Sequence, residues 1–464
     1  MRLMKRSQLA TAIATLLITT PLWATNGYFT HGTGTKNKGL AGAGLAMPED
    51  AISIANNPAS ALANTGKYDL GAAVFKPLRK YETTESQLNG QFGSFTIGPN
   101  KLKSGNNLHF IPHMAGAWKI NDKSAFAAAF YGRGGMNTSW KYGTATFDPD
   151  GPGPAPVGTY LGTYGAEVGG YGGNGGTGVD LSQAFLDLSY AHSLGDNFTL
   201  GISLVGVAQV FAARGLPAFA GYTETFAASG GTVMPQNLTN NGHDTSYGVG
   251  LKAGLLWNIS DAVSVAASYS PKIKMGKFDD YSDLFADGGT MDIPADLKVG
   301  LTFHASESVS LSFDVENIWY SDVVSVGNQF VNLFSCPTAG QGGTDVSYCL
   351  GGKNGAGFGW EDMTVYRVGA QWDAGNDWTW RVGFSHGKQP IPETEMVFNI
   401  LAPGVIEDHL TFGFTRKLSS GDEFNFSFMH GFNKKVTGPN TLDPTQNISF
   451  EMNQWELEIS YGWR

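Results

Sequence analysis

Near the end of the chain, Trp455, Leu457, Ile459, Tyr461 and Trp463 alternate with Glu456, Glu458, Ser460 and Gly462. Successive side chains of a strand point to opposite faces, so this stretch has one apolar, aromatic face and one charged face. In a soluble sandwich the apolar face would look inward and the closing residues would be polar. The finish on Tyr461-Gly462-Trp463-Arg464 instead suits a membrane–water boundary, where amphipathic rings are favoured. If the apolar face meets lipid, the charged face looks into a lumen and the sheet must close.

The rest of the sequence repeats the pattern. Fourteen segments read as strands: 67–82, 107–120, 123–132, 180–193, 197–212, 243–258, 262–275, 290–305, 308–320, 361–373, 377–389, 404–418, 422–435 and 447–464. In the ninth, Val309, Leu311, Phe313 and Val315 oppose Ser310, Ser312, Asp314 and Glu316. Short connections such as Asn121-Asp122, Ser260-Asp261 and Ser306-Glu307 alternate with long ones such as 133–179, 213–242 and 321–360. Bacterial outer-membrane barrels put tight turns at one end and large loops at the other, with an even strand count. Asp314, Glu316, Arg367, Arg381, Glu456 and Glu458 share the inward faces; a dry sandwich core would charge several kcal/mol for each, a wet lumen little. The expected fold is all-β, a 14-stranded antiparallel transmembrane barrel over residues 67–464.

Composition agrees. Glycine reaches 63 of 464 residues and charged residues only 15%, yet no uncharged apolar run attains the eighteen or so residues of a membrane helix. Arg2, Lys5 and Arg6, the apolar run Leu9–Ile18 and Pro21-Leu22-Trp23-Ala24 read as a signal peptide over 1–24, cleaved after Ala24. Losing its three positive charges takes the net charge from −10 to −13, which argues against a nucleic-acid partner. Cys336 and Cys349, the two cysteines, would form a disulfide in an oxidising compartment, within the outer loop 321–360.

Residues 25–66 lack period-two alternation. Gly39-Leu40-Ala41-Gly42-Ala43-Gly44 misses the Gly-Lys-Ser/Thr ending of a phosphate loop. Residues 47–55 suit one or two helical turns, and Asn56-Asn57-Pro58-Ala59 marks a turn. Forty residues of this kind make a poor loop but a good plug for a wide barrel. In the 133–179 loop, Tyr160, Tyr164 and Tyr171 are candidates to line an entrance for an apolar solute. His109 and His113 share a strand face without a third metal ligand in sight, and Ser182, Ser203 and His192 lack any nucleophile motif. Pro112 cannot donate to a ladder, and Gly132-Arg133-Gly134-Gly135 either bends the third strand or ends it at Gly132.

The residues that follow resemble the FadL/TodX family (OmpP1-like) of outer-membrane long-chain fatty acid transporters over essentially the whole mature chain. The resemblance rests on Thr25-Asn26-Gly27-Tyr28-Phe29, on Asn57-Pro58-Ala59, on Ile293-Pro294-Ala295-Asp296-Leu297-Lys298-Val299-Gly300 with Phe313 through Asp322, and on Trp380-Arg381-Val382-Gly383-Phe384 with Pro390-Ile391-Pro392-Glu393 and His409-Leu410-Thr411-Phe412-Gly413. Arg464 after Trp463 departs from the family's frequent aromatic ending. The resemblance implies a hatch over 25–66 anchored by Asn57, Pro58 and Ala59. It implies ligand contact or gating by Thr25, Asn26, Gly27, Tyr28 and Phe29, and a wall opening at a kink marked by Gly132, Gly134 and Gly135. It implies passive uptake of fatty acids or similar hydrophobic compounds in the bacterial outer membrane, among its lipid and lipopolysaccharide, with no catalysis and no cofactor. A plugged barrel needs no partner, so a monomer is expected. The competing readings are a porin for small polar solutes and, further off, a barrel lipase.

Overall fold

Alternation along each strand gives two chemically different faces, and closure sends one to lipid and one inward. In the computed structural model, which describes residues 26–149, 157–167 and 176–464, fourteen strands do this. They are β1 Tyr68–Thr83, β2 His109–Asn121, β3 Ser124–Asn137, β4 Gly178–Ser193, β5 Phe198–Arg214, β6 Asp244–Ser260 and β7 Val263–Ser270. The second half comprises β8 Asp296–Ser306, β9 Val309–Ile318, β10 Met363–Gly375, β11 Trp378–Gly387, β12 Asp408–Lys417, β13 Glu423–Asn440 and β14 Asp443–Trp463. Each pairs antiparallel with its sequence neighbours, and β14 closes on β1 from Tyr68↔Trp463 to Thr83↔Ile448. Leu457, Ile459 and Tyr461 of β14 are exposed on the outside, as are Leu311 and Phe313 of β9. At the tight-turn end, rings gather into a belt: Tyr68 stacks on Trp463 with centroids 5.7 Å apart, and Trp378 on Trp380 at 5.3 Å.

The alternation of short and long connections fails once. β13 and β14 run on to Asn440 and Asp443, so Thr441-Leu442 forms a tight turn at the long-loop end. Residues 436–439 lack strict alternation yet pair in register, from Val436↔Phe450 to Pro439↔Asn447, before a shift to Asn440↔Asp443 at the turn. The long loops add short strands at 96–97, 101–103, 144–147 and 158–161, the second pairing with β1.

Residues 26–66 contribute no barrel strand and pack across the inner wall as a short helix, Thr35–Gly39, and two 3₁₀ turns, Ala51–Ala55 and Pro58–Ala61. Ion pairs hold them. Lys38 bridges Glu456 at 2.8 Å and Glu458 at 2.6 Å, Lys36 reaches Glu423 at 2.6 Å, and Arg381 meets Glu49 at 2.8 Å. The amides of Leu45 and Ala51 donate to Asp314 and Asp69, both at 2.9 Å. The inward charges are therefore not bathed in a wet lumen, as alternation alone suggests. Asp314, Glu316, Arg367, Arg381, Glu456 and Glu458 are all buried, and partners on the N-terminal segment or facing strands compensate the loss of water.

Candidate functional site

Among the described residues, neighbouring barrel strands part where the β2–β3 ladder stops. β2 and β3 pair from Asn121↔Ser124 to His113↔Tyr131, where the ladder stops. Beyond it His109–Pro112 stay on β1, while Gly132–Asn137 stay on β4, with a register shift between Gly132 and Gly134. Pro112, without an N–H, is the first residue past the last pair. Of the two outcomes the glycine run allowed, the strand continues through it to Asn137.

The freed edge of β3 is taken by the start of the N-terminal segment. Thr30 N donates to Arg133 O at 2.8 Å, Gly135 N to Tyr28 O at 3.0 Å, and Phe29 bridges to Gly134. Sequence reading treats residues 25–29 and Gly132–Gly135 as two features; in space Tyr28 and Phe29 lie against Gly134 and Gly135, Asn26 and Gly27 lie against Tyr320, and Thr25 falls outside the described residues. Tyr28 sits among Phe29 (5.1 Å), Tyr320 (5.1 Å) and Trp360 (5.8 Å). The Tyr320 hydroxyl donates to Asn26 O, while Gly27, at φ 65°, comes so close to that ring that a Cβ there would lie 2.7 Å from it. Burial pushes the Tyr28 phenol far above its ordinary value, so the ring stays neutral. Arg133 stacks over Phe29 at 4.1 Å and is tied to Asp296 at 2.9 Å and Glu316 at 3.3 Å.

Two hollows flank this contact. The inner one is lined by Gly27, Phe75, Arg79, Met136, Trp360 and Met452, with Arg79 the sole cation in its lining. The outer one is an apolar slit among Phe211, Phe219, Phe285, Leu350, Phe358 and Phe398, drawn from β5 and four long loops. Leu350 follows Cys349, which is disulfide-bonded to Cys336.

The Asn57-Pro58-Ala59 turn lies elsewhere in the lumen, seated on the cross-strand glycine pair Gly201↔Gly254. Asn57 accepts from Ala59 N at 3.0 Å and donates to Leu255 O at 2.9 Å. Tyr164 is buried under the outer hollow, hydrogen-bonded to Val397 O and 5.4 Å from Phe219; Tyr160 packs on Phe147, and Tyr171 is outside the described residues. Among the described residues no group of three or more His, Cys, Asp or Glu could hold a metal. Ser203 shares a hydrogen bond with Ser189 and His192 with Ser124, so the two belong to separate cross-strand pairs. Tyr320, Trp360, Arg133 and the outer phenylalanines escape a reading from sequence. Only Tyr320 and Arg133 lie inside stretches it marks, since pairing across the barrel leaves no local signal.

The profile of the family described as outer membrane protein transport proteins (OMPP1/FadL/TodX) matches residues 15–148 and 160–454. The long-chain fatty acid transport protein of Escherichia coli O6:H1 is 25% identical over 476 residues, covering 92% of each chain. Its counterpart in Salmonella typhi is 24% identical over 467 residues, covering 93% of each. Among solved structures, a Pseudomonas aeruginosa FadL homologue aligns with a TM-score of 0.62 at 15% identity, over 94% of this chain and 99% of that one. The P. putida toluene transporter TodX aligns with a TM-score of 0.58 at 14% identity, over 93% and 98%. At such identities the structural likeness speaks for the fold.

Proposed function

Since this chain belongs to the OMPP1/FadL/TodX family of outer membrane transport proteins, we propose that it passes long-chain fatty acids or similar hydrophobic compounds through the outer membrane without an energy source. The substrate is captured in the apolar slit under the long loops and moves to the inner hollow beside Gly27 and Trp360. It leaves sideways into lipid where β2 and β3 part. Residues 25–66 act as the hatch, and the segment from Thr25 to Phe29 is the gate. Burial in the slit favours an alkyl chain by about 0.8 kcal/mol per methylene, which offsets its slow passage through a polar, charged outer leaflet.

The observation that carries this reading is the gap itself: the strand edge freed at Gly132–Gly135 is covered by residues 28–30 rather than by another strand. A gate must close the wall yet be separable from it, and a few backbone hydrogen bonds to residues 28–30 meet both needs. A Cβ at Gly134 would lie 2.0 Å from Gln183 Oε1 and 3.4 Å from the Phe29 ring. Gly134→Val therefore crowds Gln183 of β4 and the Phe29 ring that covers the gap. We expect uptake of a fluorescent fatty acid by cells carrying this variant to fall severalfold while the barrel still resists unfolding on an unheated gel. Undiminished uptake counts against exit at this position.

A further inference from the structure

The outward face of the β13–β14–β1 seam changes character along its height. Its lower rows are apolar: Phe424, Tyr461 and Leu70; Phe426, Ile459 and Ala72; Phe428, Leu457 and Val74. The next row holds Lys76, whose ammonium lies 5.5 Å from the Trp455 ring. Two rows higher, Lys435, Glu451, Lys80 and Lys103 stand side by side across four strands, and above them Glu82 faces Lys101. From Leu70 to Leu78 this face spans about nine residues, the length with which a tilted strand crosses hydrocarbon. The Tyr68–Trp463 stack marks the opposite boundary. The lysine row thus lies at headgroup level at the long-loop end, which in such barrels faces outward.

Its charge is in excess and badly matched. Five lysines face two carboxylates, with Lys80–Glu451 at 2.6 Å, Lys101–Glu82 at 3.6 Å and Lys435–Glu82 at 3.8 Å. Lys103 stands directly opposite Lys80 in the ladder, a like-charge placement that costs stability unless an anion lies between. The chain as a whole is acidic, at −10, so this concentration is no reflection of composition.

We propose that Lys76, Lys80, Lys101, Lys103 and Lys435 dock the phosphate groups of the lipid A headgroup of lipopolysaccharide on the lipid-facing wall. Lipid A suits the site because its phosphates lie at the leaflet boundary while its acyl chains run down the apolar rows below.

The test uses the full-length protein in detergent and native mass spectrometry, with bisphosphorylated lipid A, its dephosphorylated form and phosphatidylglycerol as probes. Lys80→Gln/Lys103→Gln/Lys435→Gln should retain bisphosphorylated lipid A roughly a hundredfold less, at about 1 kcal/mol per lysine near a charged surface. Lys119→Gln/Lys123→Gln at the tight-turn end should leave retention unchanged. If the triple variant does not fold, the native protein alone decides: it should discriminate strongly against the dephosphorylated form. Equal retention of the two forms, or of native and triple variant, overturns the proposal. Phosphatidylglycerol held as tightly as lipid A also overturns it and assigns the site to any anionic lipid. None of these outcomes bears on the transport route.

Discussion

Lys38 shows how single side chains hold the lumen together. It is 3% exposed and is the shared cation of Glu456 and Glu458, which are themselves buried on adjacent inward positions of β14. Lys38→Met would strand two neighbouring carboxylates away from water, at a cost of about 3–5 kcal/mol. The temperature at which the barrel unfolds on a gel should drop clearly, and adding Glu456→Gln and Glu458→Gln to Lys38→Met should recover most of the loss. If the single variant matches the native protein, these charges are solvated rather than paired. The inward carboxylates were legible, because period-two alternation exposes any charge placed on one face. Their partners were not, because Lys36 and Lys38 sit in a stretch with no periodicity and meet Glu423 and Glu458 across nearly the whole chain.

At the scale of elements, glycines in the wall decide where the N-terminal segment can rest. A Cβ at Gly201 would lie 2.2 Å from Ala59 N and 2.4 Å from Pro58 C, backbone atoms with little freedom to give way. Gly201→Val should therefore push the Asn57-Pro58-Ala59 turn off the wall at a cost of about 1–3 kcal/mol. The readout is ion conductance in planar bilayers, which should rise severalfold; a variant that conducts no more than the native protein shows that this seat does not keep the lumen shut. All fourteen barrel strands were legible, since each is long enough for alternation to stand out. Their ends were less so. β3 continues past its glycines because β4 still pairs with it, and the β13–β14 hairpin extends through residues that look like loop because the partner strand supplies their hydrogen bonds.

Over the whole molecule, the outer hollow is a product of convergence. Phe211 comes from a strand and Phe219, Phe285, Leu350, Phe358 and Phe398 from loops far apart in sequence, so no local pattern announces them. The Cys336–Cys349 bond braces the loop that delivers Leu350 to this hollow. Cys336→Ser/Cys349→Ser should leave the barrel's resistance to unfolding intact while lowering fatty acid retention through detergent exchange severalfold. A variant that retains ligand as well as the native protein removes the outer hollow from the capture step.

The pairing of Lys38 with Glu456 and Glu458 also bears on how the cylinder closes. Lys36 and Lys38 lie ahead of every barrel strand in the chain, while their counter-ions stand on β13 and β14, the latter being the strand that pairs with β1 and closes the cylinder. Closure and the seating of residues 36–38 thus share one strand: without those lysines the cylinder would enclose bare acid groups at Glu456 and Glu458.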